Sequence, residues 1–154
     1  MNRNDCILLK DLFKGERVMS LSLIVDGKPY VSLVPFAFQL DLCSVFIQTS
    51  DMARHSAGLF NGAPFTLLIH TPDKQGLNPM ELPRVSLSGS VTKLVRDSVQ
   101  YNNAKDLYVT KFKEPGQFFD FSDFNLYQLN INSGRFVAGF GRIYDLDEMD
   151  IRSL

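Results

Sequence analysis

The spacing of apolar residues changes along the chain and outlines its predicted elements. Over Asn4–Lys14 apolar residues recur at helical spacing, and Gly15 is a natural end for that helix. From Arg17 onward the period becomes two, which predicts half-buried strands, and Asp26-Gly27 is a strong hairpin signal between the first two of them. The predicted strands are Arg17–Val25, Lys28–Gln39, Cys43–Thr49, Phe65–His70 and Arg84–Leu94.

Two helices and a final hairpin complete the predicted elements. Ser50 or Asp51 can cap a helix that runs to Gly62. Asp97 can cap another that runs to about Phe112. Its buried stripe is predicted to consist of Tyr101, Ala104, Tyr108 and Phe112. The closing hairpin is predicted to pair Phe124–Ile131 with Arg135–Tyr144 and to turn at Asn132-Ser133-Gly134.

Runs of neighbouring strands with few helices favour a mainly β fold, an antiparallel barrel with peripheral helices, over a parallel α/β sheet. No internal repeat, low-complexity tract or second-domain boundary interrupts the pattern, so residues 1–154 are predicted to form a single domain. A hydrophobic content of 45% is enough for a real core.

Composition and charge narrow the partners. The 16 basic and 17 acidic residues give a net charge of −1, without the basic excess typical of proteins that bind nucleic acid or anionic membranes. No apolar run reaches the roughly 18 residues that span a bilayer, and the first residues do not resemble a signal peptide. We therefore expect a cytoplasmic protein in which Cys6 and Cys43 are buried, reduced thiols.

Self-contained catalytic motifs are missing from the sequence. His55 and His70 are the two histidines, and neither stands in a metal-ligand cluster, so no metal site is predicted. Gly139-Phe140-Gly141 is expected inside a strand rather than at the start of a helix, which excludes a dinucleotide-binding fingerprint. A self-contained hydrolase or metalloenzyme is unsupported, and no catalytic residue can be assigned.

The most informative segment runs from Ile47 to Ser56. A strand ends in the hydroxyl residues Thr49 and Ser50 and turns directly into the predicted helix, so hydroxyls and helix N–H groups would together suit a phosphate. Arg54 and His55 add charge. The alternative is an ordinary capped helix with solvent-facing Arg and His, and local chemistry alone favours that alternative.

Two further strands carry unusual residues. Pro29 and Pro35 bracket a strand and leave free backbone edges, which suit either a planar ligand or a bulged edge strand. Arg84, Ser86 and Ser88 share one face of another strand. That face is either plain solvent exposure, which we favour without further context, or the wall of a polar cofactor site.

In order and spacing, four stretches resemble the FMN-binding split β-barrel family, also called pyridoxamine 5'-phosphate oxidase-like, and in particular its HugZ-like haem-utilisation branch. No single stretch is diagnostic, but together they cover nearly the whole chain. They are Gly27–Phe36, Ser50–Ser56, Pro83–Gly89, and Asp123–Leu129 together with Val137–Arg142.

The resemblance implies a six- to seven-stranded antiparallel barrel of Greek-key type and a homodimer with FMN at the subunit interface. By position, Ser32 and Val34 would approach the isoalloxazine or the ribityl chain, and Arg84 would make a polar contact to the flavin. The residues expected around the ribityl phosphate are Thr49, Ser50, Met52, Arg54, His55 and Ser56.

One departure from the family pattern weakens the expected phosphate contact. The family usually has Arg or Lys and then Asn where this chain has Ala57-Gly58. A lost charge-assisted hydrogen bond is worth roughly 1.5–3 kcal/mol. Such a loss corresponds to roughly one to two decades of FMN affinity.

Three functions follow, in order of preference. The first is an FMN-dependent oxidoreductase with a small-molecule redox substrate, because the flavin would supply the chemistry that the side chains lack. The second is a haem-binding module. Haem-degrading members draw an iron-ligating His from a further C-terminal portion, and no His follows His70 here, so the resemblance does not imply haem oxygenase activity. The third is a flavin-free dimeric scaffold, motivated by Ala57-Gly58.

Overall fold

A computed structural model of the protein describes residues 1–114 and 118–154 in full and residues 115–117 by their backbone alone. The strands are β1 (Val18–Val25), β2 (Lys28–Pro35), β3 (Ala37–Phe38), β4 (Ser44–Ser50), β5 (Pro64–His70), β6 (Arg84–Lys93), β7 (Phe124–Gly139) and β8 (Arg142–Asp147). The α-helices are α1 (Arg3–Gly15), α2 (Val99–Lys111) and α3 (Glu148–Arg152). Short 3₁₀ turns cover Arg54–Gly58, Pro79–Glu81 and Glu114–Asp120.

All strand pairs are antiparallel, and the strands form one curled sheet in the order β2-β1-β5-β6-β7-β4-β3. The long strand β7 has two neighbours on its second side: β4 pairs with its first half and β8 with its second half. The predicted mainly β, antiparallel barrel class with peripheral helices is confirmed.

The concave side of the sheet holds the main core because inward positions alternate with polar ones. Leu21, Leu67 and Leu87 are register partners on β1, β5 and β6, and all three are fully buried. Helix α1 covers this core with the apolar side chains of Leu9, Leu12 and Phe13. At the usual value for a leucine, each buried side chain stabilises the fold by roughly 1.5–3 kcal/mol.

Helix α2 packs on β3 and β4 and forms a second apolar cluster. The predicted stripe of Tyr101, Ala104, Tyr108 and Phe112 is buried there. The cap, however, is Ser98 rather than Asp97: its hydroxyl accepts the Tyr101 N–H at 3.1 Å, while Asp97 has a left-handed φ of 64°. The helix therefore begins one residue later than an Asp97 cap would place it.

The predicted helix over Ser50–Gly62 is wrong. Ser50 still belongs to β4, where it pairs with Phe124, and only Arg54–Gly58 forms a 3₁₀ turn. Gly58 shows how closely this turn packs on the neighbouring strand. A Cβ at this position would stand 2.9 Å from the Ile24 carbonyl oxygen and 2.9 Å from the Leu23 Cβ. The glycine lets the turn pack directly on β1.

The predicted turn at Asn132-Ser133-Gly134 is also wrong. Strand β7 continues through these residues, and Gly134 pairs with Leu87 of β6. A Cβ on Gly134 would lie 2.6 Å from Leu87 Cδ2, so this glycine allows close strand packing instead of a turn. The reversal occurs instead at Phe140-Gly141, so Gly139-Phe140-Gly141 leaves the strand rather than lying inside it.

Two smaller expectations also change. The strand predicted over Lys28–Gln39 breaks at Phe36, because β3 leaves β2 and pairs with β4. Cys6 and Cys43 are free thiols as expected, but they are half-buried rather than buried. In the part of the chain that the structure describes, no helix is long and apolar enough to cross a membrane.

Candidate functional site

The hydroxyl groups at the end of β4 form a closed network with the 3₁₀ turn that follows, and we call residues 49–58 the polar turn. Thr49 is buried, and its Oγ1 lies 2.6 Å from Nε2 of His55 and 3.2 Å from Oγ of Ser56. The Ser56 hydroxyl donates to the Ser50 carbonyl at 2.7 Å. These contacts turn the Thr49, His55 and Ser56 side chains toward one another.

Ser50 is bonded to protein on both sides. Its hydroxyl donates to Oδ2 of Asp123 at 2.7 Å and accepts the backbone N–H of Met52 at 3.1 Å. A second carboxylate stands beside it, since Asp51 accepts the Asn125 amide at 2.7 Å. The Met52 side chain is 90% exposed and takes no part in this network.

Charge around the polar turn is mostly negative. The guanidinium of Arg54 pairs with the Asp26 carboxylate at 3.0 Å, and both side chains are largely exposed. Asp51 and Asp123 add two more carboxylates. Burial lowers the pKa of the His55 imidazole, which favours its neutral form. The polar turn and its surroundings therefore hold one guanidinium, which is paired with Asp26, and two further carboxylates.

These observations decide whether a flavin phosphate suits the polar turn. The hydroxyls expected to donate to phosphate already have protein partners, and the 3₁₀ turn at Arg54–Gly58 is too short for a helix dipole. An open depression of about 550 Å³ lies over the turn, and Asp26 and Asp51 are in its wall. As arranged in this chain, the turn does not fit a phosphate group.

The other residues assigned to flavin lie elsewhere. Ser32 and Val34 share one face of β2, as predicted, but Val34 is buried in the main core. The Ser32 Oγ is buried without a hydrogen-bond partner. Arg84 is the first residue of β6, and Lys93 is the last. Lys93 pairs with Tyr127 of β7, in the part of β7 that also pairs with the end of β4. Within one subunit Arg84 and the polar turn are therefore at opposite ends of the sheet.

The convex side of the sheet has a different character, and we call it the outer face. It consists of the outward positions of β2, β1, β5, β6, the second half of β7, and β8. Val31 and Leu33 on β2 are 61% and 69% exposed, and Ile24 on β1 is 48% exposed. Short polar side chains follow in the middle, including the Thr66–Ser88 hydroxyl pair at 3.0 Å.

His70 lies at one end of the outer face. It is exposed on β5, and its register partner on β6 is Arg84. The partners continue outward to Val137 on β7 and to Ile143 on β8, which is 49% exposed. The residue was visible in the sequence as one of two histidines, and strand alternation from the buried Ile69 could have placed it on this face.

The hydrogen bonding of His70 leaves one ring nitrogen available. Its Nδ1 lies 2.8 Å from the carbonyl oxygen of Thr71, so Nδ1 carries the proton and donates it. In that tautomer Nε2 is the unprotonated nitrogen, and a backbone carbonyl on the other nitrogen is the usual arrangement of a metal-ligating histidine. Among the side chains that the structure describes, no group of three or more His, Cys, Asp and Glu could hold a bare metal ion.

Two connected cavities lie between α2 and the β3–β4 region, away from both areas. The larger measures about 550 Å³ and is lined mainly by amide and apolar side chains such as Gln39, Asn103 and Leu107. Lys111 borders the smaller one, of about 330 Å³. Its ammonium donates to the Glu16 carbonyl at 2.6 Å and lies 4.1 Å from the centre of the Phe36 ring, and burial lowers its pKa to about 8. These contacts explain Lys111 as a link between the ends of α1 and α2.

The fold defines the class of protein. The chain has the split β-barrel fold of the pyridoxamine 5'-phosphate oxidase-like proteins. A solved structure from Clostridium acetobutylicum, described as related to general stress protein 26 and of the pyridoxinephosphate oxidase family, superposes with a TM-score of 0.70. It is 11% identical and covers 98% of this chain and 99% of that chain.

Several proteins to which this chain is similar are named as haem proteins, in line with the resemblance of the four sequence stretches. Heme oxygenase HutZ of Vibrio cholerae is 22% identical over 152 residues, covering 93% of this chain and 81% of HutZ. The crystal structure of HutZ, described as a heme storage protein, has a TM-score of 0.72, with 17% identity and coverage of 94% and 96%. No family model matches the sequence.

A heme binding protein from Mycobacterium smegmatis gives a TM-score of 0.84 at 20% identity. The match covers 99% of this chain but 62% of that protein. This chain therefore spans less than two thirds of that relative. At these sequence identities the structural likeness establishes the fold alone, and the ligands named for the relatives are properties of those proteins.

Proposed function

We propose that this protein binds haem on its outer face. A porphyrin is a broad apolar disc that carries an iron atom and two carboxylates, so its site needs apolar contact, a ligand for the iron and a cation. The outer face offers these at its His70 end, in the exposed side chains of Val18 and Ile143, in His70 and in Arg84. The observation that carries the proposal is the position of a histidine with an available Nε2 on an exposed, partly apolar sheet face.

The names of two relatives agree with this proposal. HutZ is named as a heme oxygenase and the Mycobacterium smegmatis protein as heme binding. The proposal for this chain is limited to binding, since its residues do not define a catalytic group. When bound, haem would supply iron-centred redox chemistry. The chain's own part would be to hold the disc, orient it and exclude water from one side.

Titration of the purified protein with hemin tests this function. We expect a shifted and sharpened Soret band that saturates near one hemin per chain. Free hemin at the same detergent level serves as the spectral control. If the Soret band remains identical to that of free hemin up to roughly 100 μM protein, a specific site is excluded, because the affinity would then be too weak to hold haem in a cell.

The homodimer is part of the same proposal. Val31 and Leu33 on β2 and Ile24 on β1 form an exposed aliphatic patch. A patch of this kind is typical of an interface. A second copy packed on this part of the outer face would bury the patch and leave the His70 end accessible to a ligand shared with the partner. Sedimentation velocity of the protein and of Leu33→Glu should show a dimer that the substitution dissociates.

The second candidate is the predicted FMN-dependent oxidoreductase with a small-molecule redox substrate. The buried Ser32 Oγ without a partner supports it, because an unsatisfied hydroxyl on β2 is a natural contact for a bound ring system. The acidic, internally bonded polar turn opposes it. Quenching of FMN fluorescence on titration would support this function, and unchanged fluorescence up to millimolar protein would reject it. The cytoplasmic location stays a prediction.

A further inference from the structure

We propose that Nε2 of His70 is the axial ligand of the haem iron, and that Arg84 binds one of the haem carboxylates. The proposal rests on the haem-binding function above and identifies the groups that would carry it. Coordination is simple ligand exchange: the Nε2 lone pair forms a bond to the iron and displaces a water molecule, with no change in oxidation state.

The local geometry prepares His70 for this role. The bond from Nδ1 to the Thr71 carbonyl fixes both the tautomer and the ring orientation, so little rotamer freedom remains to be lost on coordination. The pairing of β1 with β5 ends at Ser20 and Leu68, and extending its register by two residues puts Val18 opposite His70. Val18 is 45% exposed, and it gives the porphyrin an apolar surface beside the ligand.

Arg84 is placed and held for a carboxylate. It is the direct cross-strand partner of His70. Its guanidinium bonds through Nη1, which donates to the carbonyls of Leu82 at 2.9 Å and Met80 at 3.4 Å. These bonds hold the side chain against the 71–83 loop and leave Nε and Nη2 for an anion. The Arg84 guanidinium is thus held on one side only.

The other histidine is unsuited to the iron. His55 is half-buried, and its Nε2 is already 2.6 Å from the Thr49 hydroxyl. Breaking that contact would leave the buried Thr49 hydroxyl short of a partner, which is costly. The two histidines therefore form a matched pair for an experiment, one predicted to bind iron and the other predicted to support the fold.

Spectra of hemin complexes of the wild type, His70→Ala and His55→Gln test the assignment. We expect His70→Ala to lose the histidine-ligated Soret and electron paramagnetic resonance signals and to bind hemin at least about tenfold more weakly. Added imidazole should restore the spectrum, because it replaces the missing ring. His55→Gln should keep the wild-type spectrum. Thermal unfolding followed by circular dichroism checks that each variant is folded.

The possible failures are distinguishable. If the wild type does not bind hemin, the proposed function fails. If the wild type binds hemin and His70→Ala has an unchanged spectrum, haem binding stands and the ligand assignment is overturned. The carboxylate contact has a separate test. Arg84→Gln should lower the affinity for hemin but should not lower the affinity for the iron porphyrin whose carboxylates are esterified. Equal weakening of both porphyrins would reject the role of Arg84.

Discussion

The residue types of the polar turn indicate a ligand-binding site more strongly than those of the outer face, but the hydrogen bonding in the structure favours the outer face. The polar turn is rich in hydroxyls and carries Arg54 and His55, yet those hydroxyls bond to protein and the guanidinium is paired with the Asp26 carboxylate. The outer face mixes exposed aliphatic side chains with polar ones, and there His70 presents an available nitrogen. The comparison teaches that binding capacity depends on which donors and acceptors remain unpaired after folding.

The two areas also differ in how they join the fold. The polar turn packs on β1 through Gly58 and is hydrogen-bonded through Ser50 to Asp123, the residue before β7, so it links three parts of the chain. The outer face has aliphatic residues with much of their surface exposed. We therefore expect substitutions in the polar turn to lower stability and substitutions on the outer face to change binding.

The largest expected effect is at the contact between the polar turn and β1. Gly58→Ala would place a Cβ 2.9 Å from backbone and side-chain atoms of β1. We expect a loss of roughly 2–3 kcal/mol in the free energy of unfolding, within the usual range for overpacking. Urea denaturation measures it. The matched control is Gly15→Ala, since a Cβ there meets nothing within 4 Å. Equal stability of the two variants would contradict the packing role of Gly58.

A smaller loss is expected when the hydroxyl at the centre of the polar turn is removed. Thr49→Val keeps the shape of the side chain but removes the hydroxyl that contacts His55 and Ser56, while Ser56 keeps its bond to the Ser50 carbonyl. The expected cost is about 1–2 kcal/mol in urea denaturation, with unchanged hemin affinity. Thr66→Val on the outer face is the control and should cost less than about 0.5 kcal/mol. A Thr49→Val variant that is as stable as the wild type but no longer binds hemin would contradict the assignment of haem binding to the outer face.

Restoring positive charge at the polar turn should create the anion site that the native chain lacks. Ala57→Arg together with Asp26→Asn adds one cation and frees Arg54 from its carboxylate partner. We expect FMN affinity to rise on the order of tenfold above that of the native protein. Ala57→Arg alone should have a smaller effect. Fluorescence titration with FMN, with riboflavin as the phosphate-free control, decides whether the gain comes from the phosphate.

The smallest effect is a pH dependence that belongs to the polar turn. Burial lowers the pKa of His55 below its ordinary value of 6.5, so the unfolded chain takes up a proton more readily than the folded one. The stabilisation by neutral His55 is complete above pH 6.5 and is lost as the pH falls through 6.5 and then through the lower folded-state pKa. Urea midpoints between pH 5 and 8 should show this slope in the wild type. Its persistence in His55→Gln would assign it to another group.

Local patterns in the sequence predict much of the fold. Alternation located β1, β5 and β6 to within a residue or two, and Asp26-Gly27 forms the predicted turn, with φ angles of 52° and 72°. The two clear errors concern glycines. Gly58 and Gly134 serve close packing, whereas a sequence pattern cannot distinguish that use from a helix end or a turn. The residues against which these glycines pack, such as Ile24 for Gly58 and Leu87 for Gly134, are distant in the sequence.

The chemistry of the candidate site was harder to predict for the same reason. Thr49, Ser50 and Ser56 have the residue types of an anion site, but their state depends on Asp123 and Asp26, which the fold brings from other strands. His70 could be placed on an outward strand position by alternation. The bond from Nδ1 to the Thr71 carbonyl that makes Nε2 available was visible only in the structure.

The most direct test of the contrast is an amide chemical-shift map of the ¹⁵N-labelled protein with gallium protoporphyrin, a diamagnetic substitute for haem, and separately with FMN. The account predicts that gallium protoporphyrin produces its largest shifts at Val18, His70, Thr71 and Arg84. It also predicts that millimolar FMN leaves residues 49–56 unchanged. Largest shifts in residues 49–56 with either ligand, and an unperturbed His70, would contradict it.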